Sequence, residues 1–449
     1  MSRSIRSLSR PTPSDPVRRA GRRASAALLM AGVVVTTLFV PPLSASAAPT
    51  DADSTGIDSA GVDSAGVDGA GVDGAGVDST GVDGADLAGA DPDGATVDGA
   101  DTDRYRGRSF AVLADGLTGN KALGLSSDGS LLLGGAKADG TGVLQKVVRS
   151  GRSAGTVTTL ADLPAQPTDV GSAGRKAVWV LFGASSSPEE GQPPSAVAPA
   201  NRLYRWTERG GLAEVADLGA FAAANPDPAD LEGNPGESNA YGLQALSDGS
   251  VLVADAAANA LRRVWADGRI VTVARFPVQV ISTSHIPDPT LPPELPAEAV
   301  PTTVTVGRDG AWYVGELKGF PFTPGTSKVW RIARGSQDVT CDAAAPSRAC
   351  SVSQDGLTSI IDMTVDRRGR LDVLELVKGG LAAAEGADPA APPPPGTLVQ
   401  IDRRGNRIEL AAGKIVLPGG IVADPSGRGV YVTDGQLVPG GGRLLRIGC

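Results

Sequence analysis

Four carboxylates recur at one place in a repeated pattern. Asp255, Glu316, Glu375 and Asp434 each close a short apolar run (VLVAD, WYVGE, LDVLE and VYVTD) a few residues beyond a turn glycine. Oxygen ligands gathered around an axis suit a hard divalent cation such as Ca²⁺, which takes several carboxylate and carbonyl oxygens at once. Asp362, near the start of another run, and Asn239 with Tyr241, at a strand entrance, could line the same opening. A local role competes with this metal reading. Asp and Glu at strand ends accept backbone N–H bonds from adjoining loops, and residues that repeat with a structural unit ordinarily serve that unit. The local role is the favoured reading for the four, and packing is the favoured reading for Asn239 and Tyr241.

Other catalytic equipment is scarce. His285 is the sole histidine and lies in a proline-rich stretch, so a multi-histidine metal site is excluded and a Ser-His-Asp arrangement has one candidate base. The glycines at 440 to 442 lack the following Lys-Ser/Thr of a phosphate-cradling loop. Trp206, Trp265 and Trp330 recur at the ends of similar segments, which suits packing between repeated units better than a carbohydrate platform.

The elements that must position these residues are short strands. YGLQALSDGSVLVAD from Tyr241, TVTVGRDGAWYVGE from Thr303, IIDMTVDRRGRLDVLE from Ile360 and GGIVADPSGRGVYVTD from Gly419 each alternate apolar and polar residues, turn at a glycine and return as a β-branched or aromatic strand. Third strands follow at Leu203 (LYRW), Leu261 (LRRVW), Val329 (VWRI), Leu398 (LVQI) and Leu444 (LLRI), and fourth strands at Ile270 and Ile408. Four antiparallel strands per unit make a propeller blade. Turn glycines at 129, 174, 249, 310, 369 and 427 give six blades. The last blade stops at its third strand, and the segment SFAVLADGL from Ser109 is free to complete it. The expected fold is therefore all-β, a six-bladed β-propeller closed by terminal strand exchange, which leaves no exposed sheet edge.

Ahead of it the sequence changes character twice. Arg18, Arg19, Arg22 and Arg23, an apolar run from Ala26 to Val40 and an A-x-A site at Ala45–Ala47 read as a secretory signal peptide over 1–47. Residues 48–103 form a Gly/Ala/Val/Asp-rich acidic spacer with a five-residue repeat. One Val or Ile per unit cannot bury enough apolar surface to offset the ordering entropy, so this segment is expected to be disordered. The propeller then runs over 104–449. Fourteen aspartates and no basic residue lie between Asp51 and Asp103, whereas 34 basic and 35 acidic residues follow. The propeller is thus nearly neutral and offers no basic field for nucleic acid. No stretch of the mature chain is apolar enough to span a membrane.

The stretches NAYGLQALSDGSVLVADAAANALRRV, PTTVTVGRDGAWYVGELKGFPF and IIDMTVDRRGRLDVLEL resemble the repeats of the ScyD/ScyE family, exported propellers named for the cyanobacterial scytonemin gene cluster. The segment GELKGFPF, from Gly315 to Phe322, is the most specific of the matching motifs. Ala240 departs from the proline expected between Asn239 and Tyr241. More generally the repeats are similar to those of NHL and streptogramin-lyase-like propellers. The resemblance implies a propeller and export, with no established reaction attached.

Blade topology gives the functional expectation. Links from second to third strands, and from blade to blade, share one face. The long segments at 183–200, 222–238, 279–299, 317–327, 341–350 and 377–395 are assigned to it, leaving tight turns opposite. Long loops on a rigid scaffold are where binding resides. The chain is accordingly read as a monomeric, secreted binding or scaffolding module for an extracellular ligand or protein, leaning away from an enzyme. The alternative is a metal-dependent hydrolase or lactonase-like enzyme built on the carboxylate ring. Cys341 and Cys350 close a short loop and are expected to form a disulfide in an oxidising compartment. Cys449 remains as a free thiol or an intermolecular link.

Overall fold

A computed structural model describes residues 109–184, 199–231, 233–385, 391–436 and 441–448. The expected signal peptide, the spacer and Cys449 lie outside these. Strand β1 (Phe110–Leu117) comes first but belongs to the last blade. Blade 1 is β2 (Ala122–Leu125), β3 (Leu131–Ala136), β4 (Gly142–Val147) and β5 (Val157–Leu163). Blade 2 is β6 (Asp169–Ser172), β7 (Ala177–Phe182), β8 (Arg202–Thr207) and β9 (Gly211–Asp217). A short helix, α1 (Leu218–Ala224), follows, its first turn capped by the Asp217 carboxylate accepting from the Ala220 amide. Blade 3 is β10 (Ala240–Ala245), β11 (Val251–Asp255), β12 (Ala260–Val264) and β13 (Ile270–Arg275). A separate hairpin, β14 (Gln279–Ser282) with β15 (Glu294–Ala297), leads to blade 4. Blade 4 is β16 (Pro301–Val306), β17 (Trp312–Glu316), β18 (Ser327–Ile332) and β20 (Cys350–Leu357), with β19 (Val339–Thr340) lying between the last two in sequence. Blade 5 is β21 (Ile360–Val365), β22 (Leu371–Glu375), β23 (Thr397–Ile401) and β24 (Arg407–Leu410), with a one-turn helix, α2 (Leu381–Glu385), in the link after β22. Blade 6 is β25 (Ile421–Ala423), β26 (Gly429–Asp434) and β27 (Gly442–Gly448), completed by β1.

Ring closure follows the expected route. β1 pairs antiparallel with β27 from Phe110 opposite Ile447 to Leu117 opposite Gly442. The six turn glycines adopt left-handed φ angles between 75° and 96°, a region that costs other residues more than glycine. Between blades, the inner strands approach so closely that a Cβ on Gly242 would lie 2.4 Å from the Thr302 carbonyl oxygen.

Alternating apolar residues place a hydrophobic layer in every gap between blades, six in all. Trp179, Leu181 and Leu203 meet Val251 and Val253 between blades 2 and 3, and Leu123, Leu131 and Leu133 meet Tyr431 and Leu444 where blade 1 closes on blade 6. Each fully buried Leu or Val contributes roughly 1.5–3 kcal/mol relative to exposure, so the layers rather than the turns hold the ring. Of the tryptophans, Trp206 and Trp330 join these layers as expected. Trp265 instead follows β12 in the turn, where the guanidinium of Arg269 stacks 3.6 Å from its ring centre and that of Arg263 lies 4.6 Å away.

One loop falls on the other side from its expected place. Cys341 and Cys350 are bridged, with Cα atoms 5.3 Å apart, but their loop joins β18 to β20, the third and fourth strands of blade 4. It therefore lies on the tight-turn face. The chain preceding it adds β19 in parallel to β13 of blade 3, an inter-blade detour that a four-strand repeat does not foretell.

Candidate functional site

The four repeated carboxylates occupy equivalent positions, yet each belongs to a network of its own. Asp255 is fully buried and accepts from the Asn239 amide at 2.8 Å and the Ser238 hydroxyl at 2.9 Å, with Arg262 at 4.0 Å. Glu316 accepts from the Trp330 indole at 2.9 Å and pairs with Lys318 at 2.7 Å. Glu375 accepts from the Thr358 amide at 2.8 Å, and burial lifts its pKa to about 7. Asp434 accepts from Arg443 Nε at 2.9 Å and from the Val416 amide at 3.2 Å. Each pins a loop to its own blade, the local role that repeat-equivalence favours. No three of them are gathered as one set of ligands. Among the described residues no three histidine, cysteine or carboxylate side chains come together to hold a metal ion.

Asn239 is likewise structural, its side-chain oxygen accepting from the Ala184 amide at 3.2 Å to seat the segment after β7. His285 is exposed and lies 3.0 Å from the Pro321 carbonyl oxygen, tying the β14–β15 hairpin to the GELKGFPF segment. In that segment Lys318 takes a left-handed φ of 74° and buries its amine against Glu316. The specific motif thus shapes a loop.

The axis is different. Lys121 stands just before β2, Asp169 opens β6, Tyr241 is the second residue of β10, Thr303 the third of β16 and Asp362 the third of β21. Inner strands start at the long-loop end, so five blades deliver these groups to that end of the central channel. The Lys121 amine reaches from blade 1 across to blade 3 and lies 3.7 Å from the centre of the Tyr241 ring. Asp169 accepts from its neighbour Val170 N–H and, across the blade gap, from Leu243 N–H, both at 2.7 Å. Asp362 accepts from the Thr303 hydroxyl and the Ile421 N–H at 2.7 Å, and from Met363 N–H at 2.8 Å. The two aspartates thereby link blades 2 to 3, 4 to 5 and 5 to 6.

Lys121, Asp169, Tyr241 and Asp362 are half-buried, neither sealed in the interior nor fully exposed. Their ionisation is displaced accordingly. Desolvation, reinforced by the charge of Asp362, lifts Asp169 well above the ordinary carboxyl range despite its two N–H donors. Desolvation raises Asp362 to about 6 against three stabilising donors. Desolvation lowers Lys121 to about 7, with Asp169 opposing it, and raises the Tyr241 phenol above its usual value, helped by Asp362 and Asp169. A lysine partly neutral near pH 7 beside a carboxyl whose proton affinity is raised is acid–base equipment.

Tyr241, for which packing is the favoured sequence reading, and Asp362 were both candidates for this mouth, and both stand near the starts of inner strands. Lys121 and Asp169 were not singled out by the sequence reading. Lys121 stands as far before Gly129 as Tyr241 does before Gly249, a register match that would have exposed it. Asp169 hides because blade 2 has a shorter inner strand and turn, which shifts its spacing.

No protein-family profile matches the chain, and no curated protein does. Similar solved structures include virginiamycin B lyase from Staphylococcus aureus, at 15% identity over 73% of this chain and 82% of that one, with a TM-score of 0.38. A gluconolactonase from Xanthomonas campestris matches at 13% identity over 76% of this chain and 89% of that one, with a TM-score of 0.45. A PQQ-bound aldose sugar dehydrogenase from Streptomyces coelicolor matches at 12% identity over 76% and 98%, also at 0.45. Identities and TM-scores this low carry no argument about activity; the propeller is established by its own strand pairing.

Proposed function

We propose that this chain is an exported, ScyD/ScyE-like propeller that binds a small polar ligand at the long-loop end of its axial channel. The observation that carries the reading is the cluster of Lys121, Asp169, Tyr241 and Asp362, drawn from four blades. Ring closure alone does not call for a lysine and a tyrosine facing one another across the axis. A ligand that supplies a hydrogen-bond partner to the amine or to either carboxyl relieves a cost already present in the free protein. The Cys341–Cys350 bridge accords with an oxidising compartment, and no described helix is long and apolar enough to cross a membrane.

A hydrolase reading draws on the same place, because two carboxyls of unequal proton affinity can divide acid and base roles. The test serves both readings. Small aldehydes, lactones, amines and sugars are screened by thermal shift against the wild type, Tyr241→Phe and Asp362→Asn. Stabilisation that is lost in both variants supports the axial site, and turnover of a lactone would convert the binder into an enzyme. Ligands that stabilise all three proteins equally would place recognition elsewhere.

A further inference from the structure

We propose that Lys121 is a reactive amine that condenses with a small uncharged aldehyde or hydroxyketone in the axial mouth, holding it as an imine. The proposal rests on the binding site described above and names its ligand chemistry. Lys121 is set apart by its surroundings. Lys318, which is fully buried where Lys121 is half-buried, is locked to Glu316 at 2.7 Å. Lys137, Lys146 and Lys378 sit in ion pairs with Asp162, Asp128 and Glu409, and Lys176 and Lys414 are exposed to water. Lys121 has neither arrangement: its amine lies over the Tyr241 ring, with Asp169 acting on it through space. An amine in this setting loses hydration without gaining a fixed carboxylate partner, which favours its neutral, nucleophilic form. Two nearby carboxyls disfavour an anionic ligand, so an uncharged carbonyl compound fits best.

The step balances without any redox partner. The Lys121 lone pair forms a C–N bond to the carbonyl carbon while the C=O π pair moves onto oxygen, which takes the Asp169 proton. The nitrogen gives up a proton, returning Asp169 to its acid form directly or through the channel. The C–O bond of the carbinolamine then breaks as Asp169 protonates that oxygen a second time and it leaves as water, the nitrogen lone pair forming C=N; the protonated imine gives its remaining N–H proton back to Asp169. One amine and one carbonyl give one imine and one water. Asp169 thereby supplies and recovers the proton, a task suited to a carboxyl whose proton affinity is raised by burial and by the charge of Asp362.

The probe is glycolaldehyde with sodium cyanoborohydride, applied to the disulfide-intact protein at pH 7 and read by peptide mass spectrometry. An ordinary lysine is neutral in only about one molecule in two thousand at that pH, whereas Lys121 is neutral in about half. Allowing for the lower intrinsic nucleophilicity of a less basic amine, the expected result is reductive alkylation of Lys121 at least about tenfold faster than of Lys176 or Lys414. Asp169→Asn slows alkylation at Lys121 several-fold and leaves Lys176 unchanged. Equal labelling of all three lysines overturns the proposal in the wild type alone, without recourse to a variant that might misfold. A glycolaldehyde-induced rise in melting temperature without a Lys121 adduct overturns imine formation while the binding-site reading stands. The absence of both removes the imine and the aldehyde class together.

Discussion

Two polar regions lie at the long-loop end of this propeller, and they are built on opposite terms. The outer one is the belt of Asp255, Glu316, Glu375 and Asp434, where each carboxylate has donors from its own blade or the adjoining loop. The inner one is the axial cluster, where Lys121 rests on an aromatic ring and the charge of Asp362 adds to the cost of ionising Asp169. The belt repeats from blade to blade; the cluster does not, offering lysine, aspartate, tyrosine, threonine and aspartate around the axis. Polar residues that repeat are explained by the repeat, so residues that break the repeat at its most crowded point are the better guide to function.

The strongest test of this contrast sets one lysine against the other. Lys318→Met leaves Glu316 in the interior with the Trp330 indole and the Lys328 amine 4.0 Å away, and should cost about 3–5 kcal/mol in chemical denaturation. Lys121→Met removes an amine that burial already penalises, and should be neutral or stabilising at pH 7. Equal losses from the two would erase the distinction between belt and axis.

The disulfide should matter next. Replacing Cys341 and Cys350 with serine should cost roughly 2–3 kcal/mol through the released loop, without altering ligand binding at the far end of the channel. Loss of axial binding in that variant would show that the two faces are coupled.

A pH series follows in size. Asp362 is raised to about 6 and Glu298, Asp372 and Glu375 to about 7, each chiefly by desolvation. A carboxyl whose folded pKa is raised contributes stability fully present below its unfolded value near 4, and lost as pH climbs through the folded value. Lys121 works in the opposite sense: its depressed pKa adds stability above its ordinary value near 10, lost as pH falls through about 7. The carboxyls outnumber it, so the melting temperature should fall by several degrees between pH 5 and pH 8, at roughly 2–4 °C per kcal/mol for a domain of this order. A flat or rising profile across that window would contradict the burial argument.

Much of the scaffold was legible in the sequence because its causes are local. Alternation, a glycine at each tight turn and a final blade short of one strand sufficed for six blades and their closure, and β1 beside β27 bears that out. The Cys341–Cys350 pairing was equally plain from its spacing. Its place was not, since β19 leaves blade 4 to pair with blade 3, and that choice depends on a neighbour far away in sequence. The site was half legible. Tyr241 and Asp362 could be named as candidates because they fall near first-strand starts in repeats that align cleanly, with packing the favoured role for Tyr241. Lys121 and Asp169 become conspicuous only when the ring closes and brings blades 1, 2, 3 and 5 around one axis. The local role favoured for the belt is the one its side chains take, although their partners do not follow from repeat position: Glu316 turns to Lys318 and Trp330, and Asp434 to Arg443.

The smallest expected effect concerns calcium. With every belt carboxylate already engaged, millimolar calcium or a chelator should shift the melting temperature by less than about 1 °C, since a cation stabilises only in proportion to its preference for the folded state. A calcium-dependent rise of several degrees, abolished by Glu316→Gln with Glu375→Gln, would restore the belt as a metal site.

The central claim, that the axial mouth is chemically poised, is tested most directly by following the Lys121 ε-ammonium by ¹⁵N-resolved NMR between pH 5 and pH 11, assigned with Lys121→Arg. The structure sets a midpoint near 7 that moves upward in Tyr241→Ala, where water reaches the amine. A midpoint above about 10, matching the exposed lysines, would mean that the amine is fully hydrated and that the axial cluster is packing rather than a site.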